Sequence, residues 1–279
     1  MEISKDSLGD KVKAFEDVES MRKLDNNFPI IIRLDGRGFS SFTKGMNRPF
    51  DAKMQQLMQD TTQYLVEETN AVIGYTQSDE ISLVIYNKNN REALPYFGGR
   101  VQKICSSLAS VASVYFNSRL PEFFPEKAKL LPTFDCRAWN VPDEHTAYLT
   151  ILWRENDCSK NSVQMAARSM FSHKSLQDLT CEQMKEKILK EANVDWNYYP
   201  TAFKRGSYFQ RVKLSTPFTK EEIDSLPEKH EARKNPELVV ERHRIQKRFF
   251  PSLAEISNIN EVLFNGAEPT LKQKNVDPW

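Results

Sequence analysis

An α+β fold, with the split βαβ order of ferredoxin-like domains in the first half of the chain, is predicted by three observations. The β-branched run Ile30-Ile31-Ile32-Arg33-Leu34-Asp35 stops at Gly36-Arg37-Gly38, as a buried strand entering a tight turn does. Two stretches of helically spaced apolar residues, from Asp51 and from Arg100, bracket a hairpin pattern between Ala71 and Tyr86. A further strand follows near Thr133–Trp139, so the order reads strand, helix, strand, strand, helix, strand.

The first strand delivers Asp35 to its turn. The first helix carries Met54, Leu57, Met58, Thr61 and Leu65 on one face, with Asp51 as its N-cap. In the hairpin, Ala71-Val72-Ile73-Gly74-Tyr75 leads through Thr76-Gln77-Ser78-Asp79 to Ile81, Leu83 and Ile85, so a second carboxylate sits at the turn. The second helix has the inner stripe Val101, Ile104, Cys105, Leu108, Val111, Ala112 and Tyr115, and Arg100 and Lys103 share its outer face. The last strand carries Arg137. Beyond Pro142 helices are expected over 143–155, 159–171 and 181–192, followed by a mixed, basic region. The chain therefore divides into 1–140, with its core over 28–140, and a helical, basic region over 141–279.

Composition limits the function classes. With 279 residues, 39% hydrophobic, 28% charged and a net charge of +1, the chain is globular rather than disordered or collagen-like. It holds no run of about 18 apolar residues, so no membrane partner is expected. The opening MEISKDSLGDKVKAFEDVES lacks the apolar core of a secretory signal, so a cytoplasmic protein is expected. The charge is uneven: residues 1–29 hold five Lys/Arg and seven Asp/Glu, whereas residues 201–250 hold twelve and seven. Within that basic end ERHRIQKRFF (241–250) reads as a phosphate-contacting helix or arm, or else as a solvated helix face. Cys105, Cys136, Cys158 and Cys181 form no C-x-x-C pair, and the four histidines form no H-E-x-x-H. Disulfide frameworks, zinc sites and Cys nucleophiles are not indicated.

The chemistry points instead to Asp35 and Asp79. In this topology the hairpin lies beside the first strand, so the two carboxylates face each other across one sheet edge. Like charges that close need cations to neutralise them. Magnesium suits such a pair, taking one or two carboxylates with phosphate oxygens and water, and the Gly36 carbonyl is a candidate further ligand. Arg33, Arg37, Arg48, Arg100, Lys103 and Arg137 lie on the surrounding elements, a distribution that fits a triphosphate better than a salt-bridged surface. Neither a P-loop nor G-x-G-x-x-G is present.

Arg33-Leu34-Asp35-Gly36-Arg37-Gly38-Phe39-Ser40-Ser41-Phe42, then Tyr75-Thr76-Gln77-Ser78-Asp79-Glu80, then Phe134-Asp135-Cys136-Arg137 resemble motifs of the tRNA-histidine guanylyltransferase family and its tRNA-repairing relatives. The resemblance spans about residues 8–210. It implies a ferredoxin-like palm, an antiparallel sheet with helices on one face, and 3′-to-5′ nucleotide addition to the 5′ end of tRNA. It also implies that Asp35, Gly36 and Asp79 hold two magnesium ions, with Glu80 as the neighbouring acid. Arg33, Arg48 and Asp51 of the R-P-F-D segment, and Ser78 are expected at the nucleotide. Arg100, Lys103 and Arg137 fall on positions that hold the activated 5′ end, joined by Arg205 in a Y-R-K-G-like segment, Phe203-Lys204-Arg205-Gly206.

GTP and ATP are the implied substrates, tRNA the partner and a homotetramer the implied assembly. Two departures bear on specificity. Ser40 stands where the guanylyltransferases commonly have histidine, and Ser159-Lys160-Asn161-Ser162 stands where the eukaryotic enzymes carry H-I-N-N for reading the tRNA-histidine anticodon. These favour template-directed repair of tRNA 5′ ends over dedicated addition of a G to tRNA-histidine. The remaining alternatives are a palm-type cyclase or forward polymerase with the same metal pair, and a non-catalytic tRNA-binding module.

Overall fold

The computed structural model describes residues 5–88, 96–235 and 237–273. Its elements are α1 (Lys5–Ser20), β1 (Ile30–Arg37), α2 (Phe39–Phe42), α3 (Ala52–Thr69), β2 (Ile73–Gln77), β3 (Glu80–Ile85), α4 (Val101–Phe123) and β4 (Thr133–Asn140). The second half adds α5 (Glu144–Met170), α6 (His173–Leu176), α7 (Cys181–Ala192), α8 (Thr201–Arg205), β5 (Ser207–Pro217), α9 (Lys220–Ser225), α10 (Glu231–Lys234), β6 (Val239–Arg248) and α11 (Ile259–Asn265). The predicted α+β palm is present. Asp51 caps α3 as expected, its Oδ1 accepting the backbone N–H groups of Lys53 at 2.9 Å and Met54 at 3.2 Å.

The strands form one six-stranded sheet in the order β4-β1-β3-β2-β5-β6, antiparallel throughout. Strand alternation sends Ile30, Ile32 and Leu34 to one face, where α3 and α4 cover them with Leu57, Met58, Leu65, Ile104, Leu108 and Phe116. Each such fully buried Leu or Ile contributes about 1.5–3 kcal/mol. The opposite face sends Ile31, Ile73, Tyr75, Val84 and Tyr208 against α5 and the segment Leu253–Leu263.

Two sequence expectations change. The helices expected over 143–155 and 159–171 are a single helix of 27 residues, α5, because Glu155, Cys158 and Ser162 turn inward and keep the polar stretch against the protein. The run 241–250, expected as a helix or arm, forms most of strand β6. It pairs with β5 from Tyr208↔Arg248 to Pro217↔Val239. Since β2 pairs with β5 only over Ser207–Gln210, the outer parts of β5 and β6 continue as a two-stranded basic ribbon.

Candidate active site

The register of the sheet sorts the carboxylate-bearing face into rows. Asp135, Asp35, Glu80 and Gln77 lie side by side on β4, β1, β3 and β2. Two residues along each strand come Arg137, Arg33, Ser82 and Tyr75, and two further come Trp139, Ile31, Val84 and Ile73. An acidic row is thus followed by a cationic and then an apolar one, about 6.5–7 Å apart by strand geometry. α5 covers the face over β2 and β3, leaving the side over β1 and β4 open.

Asp79 reaches Asp35 because the hairpin turn is clamped to the end of β1: the Gly36 N–H donates to the Asp79 carbonyl at 3.0 Å. Ser78 holds the turn with a left-handed φ of 50°. Burial and then the Asp35 charge raise the Asp79 carboxyl above the ordinary range, while hydrogen bonds from its own backbone and Ser78 partly offset them. Neither Asp35 nor Asp79 has a Lys or Arg partner among the described residues. Two adjoining, unpaired oxygen donors fit magnesium, which needs few protein ligands when phosphate and water supply the rest. No group of three or more His, Cys, Asp or Glu is arranged for a metal among the described residues. The glycine at 36 is required on the other face: a Cβ there would meet the buried Phe39 ring at 2.5 Å.

Beside Asp79 opens a cavity of about 410 Å³. Ser78, Asp79, Arg48 and Asp51, four of the residues singled out in the sequence, line it together with Ser40. Asp51 is committed to its cap, its Oδ2 also accepting from the Asn47 side chain at 3.0 Å. The sequence reading missed the opposite wall, built by Asn161, Met165 and Arg168 of α5 with Phe50 and Phe203, whose rings stack at 4.7 Å. The spacing of 161, 165 and 168 on one helix face was the available signal. Cys158 also lines it; burial pushes its thiol up to about 12, which makes it unreactive.

The other expected residues are dispersed. Glu80 is buried and both its oxygens accept from Arg154 at 2.6 Å, with Arg154 also bound to Asp157 at 3.0 Å. Glu80 therefore ties α5 to the sheet. Arg33 and Arg137 are brought together by register, but Arg33 lies outside the cavity lining. Its guanidinium lies 5.8 Å from the Trp139 ring and 5.6 Å from Trp153. Arg100 and Lys103 start α4 on the other layer, where backbone bonds from Leu24 to Gly99 and from Val101 to Arg22 hold them near Asn140. That is five register positions from Asp35, roughly 17 Å. Arg205 lies beyond the cavity toward Lys247 and Phe250, its carbonyl accepting from the Tyr75 hydroxyl at 2.9 Å. The fold does not gather Arg100, Lys103, Arg137 and Arg205 at a single point.

The family model for tRNAHis guanylyltransferase matches residues 9–142, the segment carrying all three motifs. A bacterial tRNA(His) guanylyltransferase (Thg1)-like protein, solved in complex with ATP, is 30% identical and superposes with a TM-score of 0.75, covering 92% of this chain and 99% of that one. The chain belongs to the tRNAHis guanylyltransferase family. Protein R259 of Acanthamoeba polyphaga mimivirus is 30% identical over 79% of this chain and 82% of its own length. The tRNA(His) guanylyltransferase of Neurospora crassa is 28% identical over 81% of this chain and 80% of its own. The chain is thus a nucleotidyltransferase of the tRNAHis guanylyltransferase family. No helix among the described residues is long and apolar enough to cross a membrane.

Proposed function

We propose that the protein adds nucleotides in the 3′-to-5′ direction to the 5′ end of tRNA, with the cavity beside Asp79 taking the nucleoside triphosphate. The observation that carries this reading is the Asp35 and Asp79 pair, without a Lys or Arg partner among the described residues, of which Asp79 lines that cavity. Asp35, Asp79 and the Gly36 carbonyl would hold a pair of magnesium ions, which supply activation of the attacking 3′-hydroxyl and stabilisation of the leaving oxygen. Arg48 and Ser78 orient the triphosphate, and Arg33 and Arg137 meet the charge of the activated tRNA 5′ end. Basic side chains of the β5–β6 ribbon give sequence-independent contacts to the tRNA backbone.

The tRNA(His) guanylyltransferases among its relatives favour guanylyl addition to tRNA-histidine over the template-directed repair that the sequence predicts. One observation keeps repair as the second reading. The Ser159 hydroxyl donates to the Lys204 carbonyl at 2.9 Å and the Ser162 hydroxyl to the Ser159 carbonyl at 2.8 Å, so both hydroxyl protons are spent within the protein and not on an anticodon. The deciding experiment incubates the purified protein with labelled GTP or ATP and three RNAs: tRNA-histidine, another full-length tRNA, and a tRNA lacking its first nucleotide. Addition confined to tRNA-histidine supports the dedicated reaction. Extension of truncated tRNAs by the nucleotide opposite the template supports repair, and incorporation into none rejects both.

A further inference from the structure

Trp153 is 54% exposed, although its neighbours on α5, Ile151 and Arg154, are buried. Arg154 lies 4.5 Å from the Trp153 ring centre, and Arg33 approaches the same ring at 5.6 Å. An indole covered on both faces could not leave more than half its surface to water, so one face of Trp153 is open. Trp139 completes the group from the edge strand, one row beyond Arg33. None of Arg33, Trp139 and Trp153 lines the cavity beside Asp79. Arg33 has no carboxylate partner among the described residues, so its charge is free for an anion.

Open aromatic surface next to an uncommitted guanidinium group is a combination that binds single nucleotides of RNA, by base stacking and phosphate contact. Spacing supports the match. From Asp35 through Arg33 and Arg137 to Trp139 the rows advance about 6.5–7 Å each, so a phosphate at the first two rows places its own base near the third. We propose that Trp153, with Arg33 and Trp139, is a stacking shelf for the base of the 5′-terminal nucleotide of an RNA acceptor. It is separate from the cavity for the incoming triphosphate. This rests on the reading of tRNA as the acceptor. The two aspartates then stand between two nucleotide sites, one enclosed and one open.

The test uses the full chain in EDTA without nucleotide, so that binding is read apart from turnover. Its probes are two 5′-phosphorylated acceptor-stem hairpins, one with 2-aminopurine as first nucleotide and one abasic there. Wild type should bind the 2-aminopurine hairpin at least about fivefold more tightly than the abasic one and quench its fluorescence. Trp153→Ala should lose both the preference and the quenching while still binding RNA, and Trp153→Phe should keep most of both. An unchanged preference in Trp153→Ala, or equal wild-type affinity for both hairpins, overturns the shelf. Failure to bind either hairpin removes the tRNA reading and the shelf with it. Loss of the preference in Trp153→Ala alongside a wild type that incorporates no nucleotide keeps the shelf and rejects only the proposed reaction.

Discussion

The two halves of the carboxylate-bearing face differ in how their charges are satisfied. Under α5, the buried acids are matched by protein groups. Glu80 is held by Arg154, and Glu155 accepts from the Tyr208 and Ser252 hydroxyls and the Leu253 N–H. Over β1 and β4, Asp35 and Arg33 have no oppositely charged partner among the described residues, and Arg137 meets Asp135 only at 3.4 Å in an exposed pair. Matched polar groups hold α5 on the sheet, whereas unmatched ones leave interaction energy for a ligand. The boundary between the halves runs between Asp79 and Glu80, adjacent residues with opposite fates.

Breaking the matched half should cost stability first. Arg154→Ala strands the buried Glu80 carboxylate, and a denaturant titration should show a loss of about 3–5 kcal/mol. A loss below about 1 kcal/mol would mean that the closed half is no more committed than the open one.

Asp79 should behave in the opposite sense. Its carboxyl titrates higher when folded than unfolded, so its charge opposes folding increasingly as pH rises through that interval and fully above it. Asp79→Asn should therefore be at least as stable as wild type at neutral pH without metal, while turnover falls at least ~100-fold. Magnesium should raise the Tm of wild type and not that of the variant. Thermal melts with and without magnesium, beside a nucleotide-incorporation assay, check all three outcomes.

A finer comparison is available at Glu155. Burial raises its carboxyl despite the hydrogen bonds that favour the charged form, so its contribution to stability also declines as pH rises from the ordinary carboxylate range. The change in unfolding free energy from about pH 4 to about pH 7 should be more positive in Glu155→Gln than in wild type. An identical dependence would remove Glu155 as the group responsible. The smallest stability effect belongs to the open half: Arg137→Ala should change unfolding free energy by less than about 1 kcal/mol. Its effect should appear instead as weaker binding of a 5′-phosphorylated acceptor RNA in the same buffer.

Much of the palm was legible because its signals are local. The apolar run of β1, the turn at Ser78 and Asp79, and the Asp51 cap each depend on a few consecutive residues. The ribbon was not legible. Outside Ser207–Gln210 its strands mostly alternate exposed and partly buried residues, and in β6 the partly buried positions include Arg242, Gln246 and Arg248, so β6 shows no apolar alternation and 241–250 resembles a basic helix or arm. The cavity was half legible: Arg48, Asp51, Ser78 and Asp79 lie in or beside the motifs, whereas Asn161, Met165, Arg168 and Phe203 reach it only through the path of α5 and α8.

By itself the sequence determined where two aspartates end their strands and which apolar residues must be hidden, because alternation, turns and capping act over neighbouring residues. Only the tertiary structure decided which charge is spent and which is free. Glu80 is quenched by Arg154, 74 residues away along the chain, and Arg33 is set between indoles from β4 and α5. Electrostatic pairing and desolvation depend on distance through space, and no residue spacing along the chain encodes that distance.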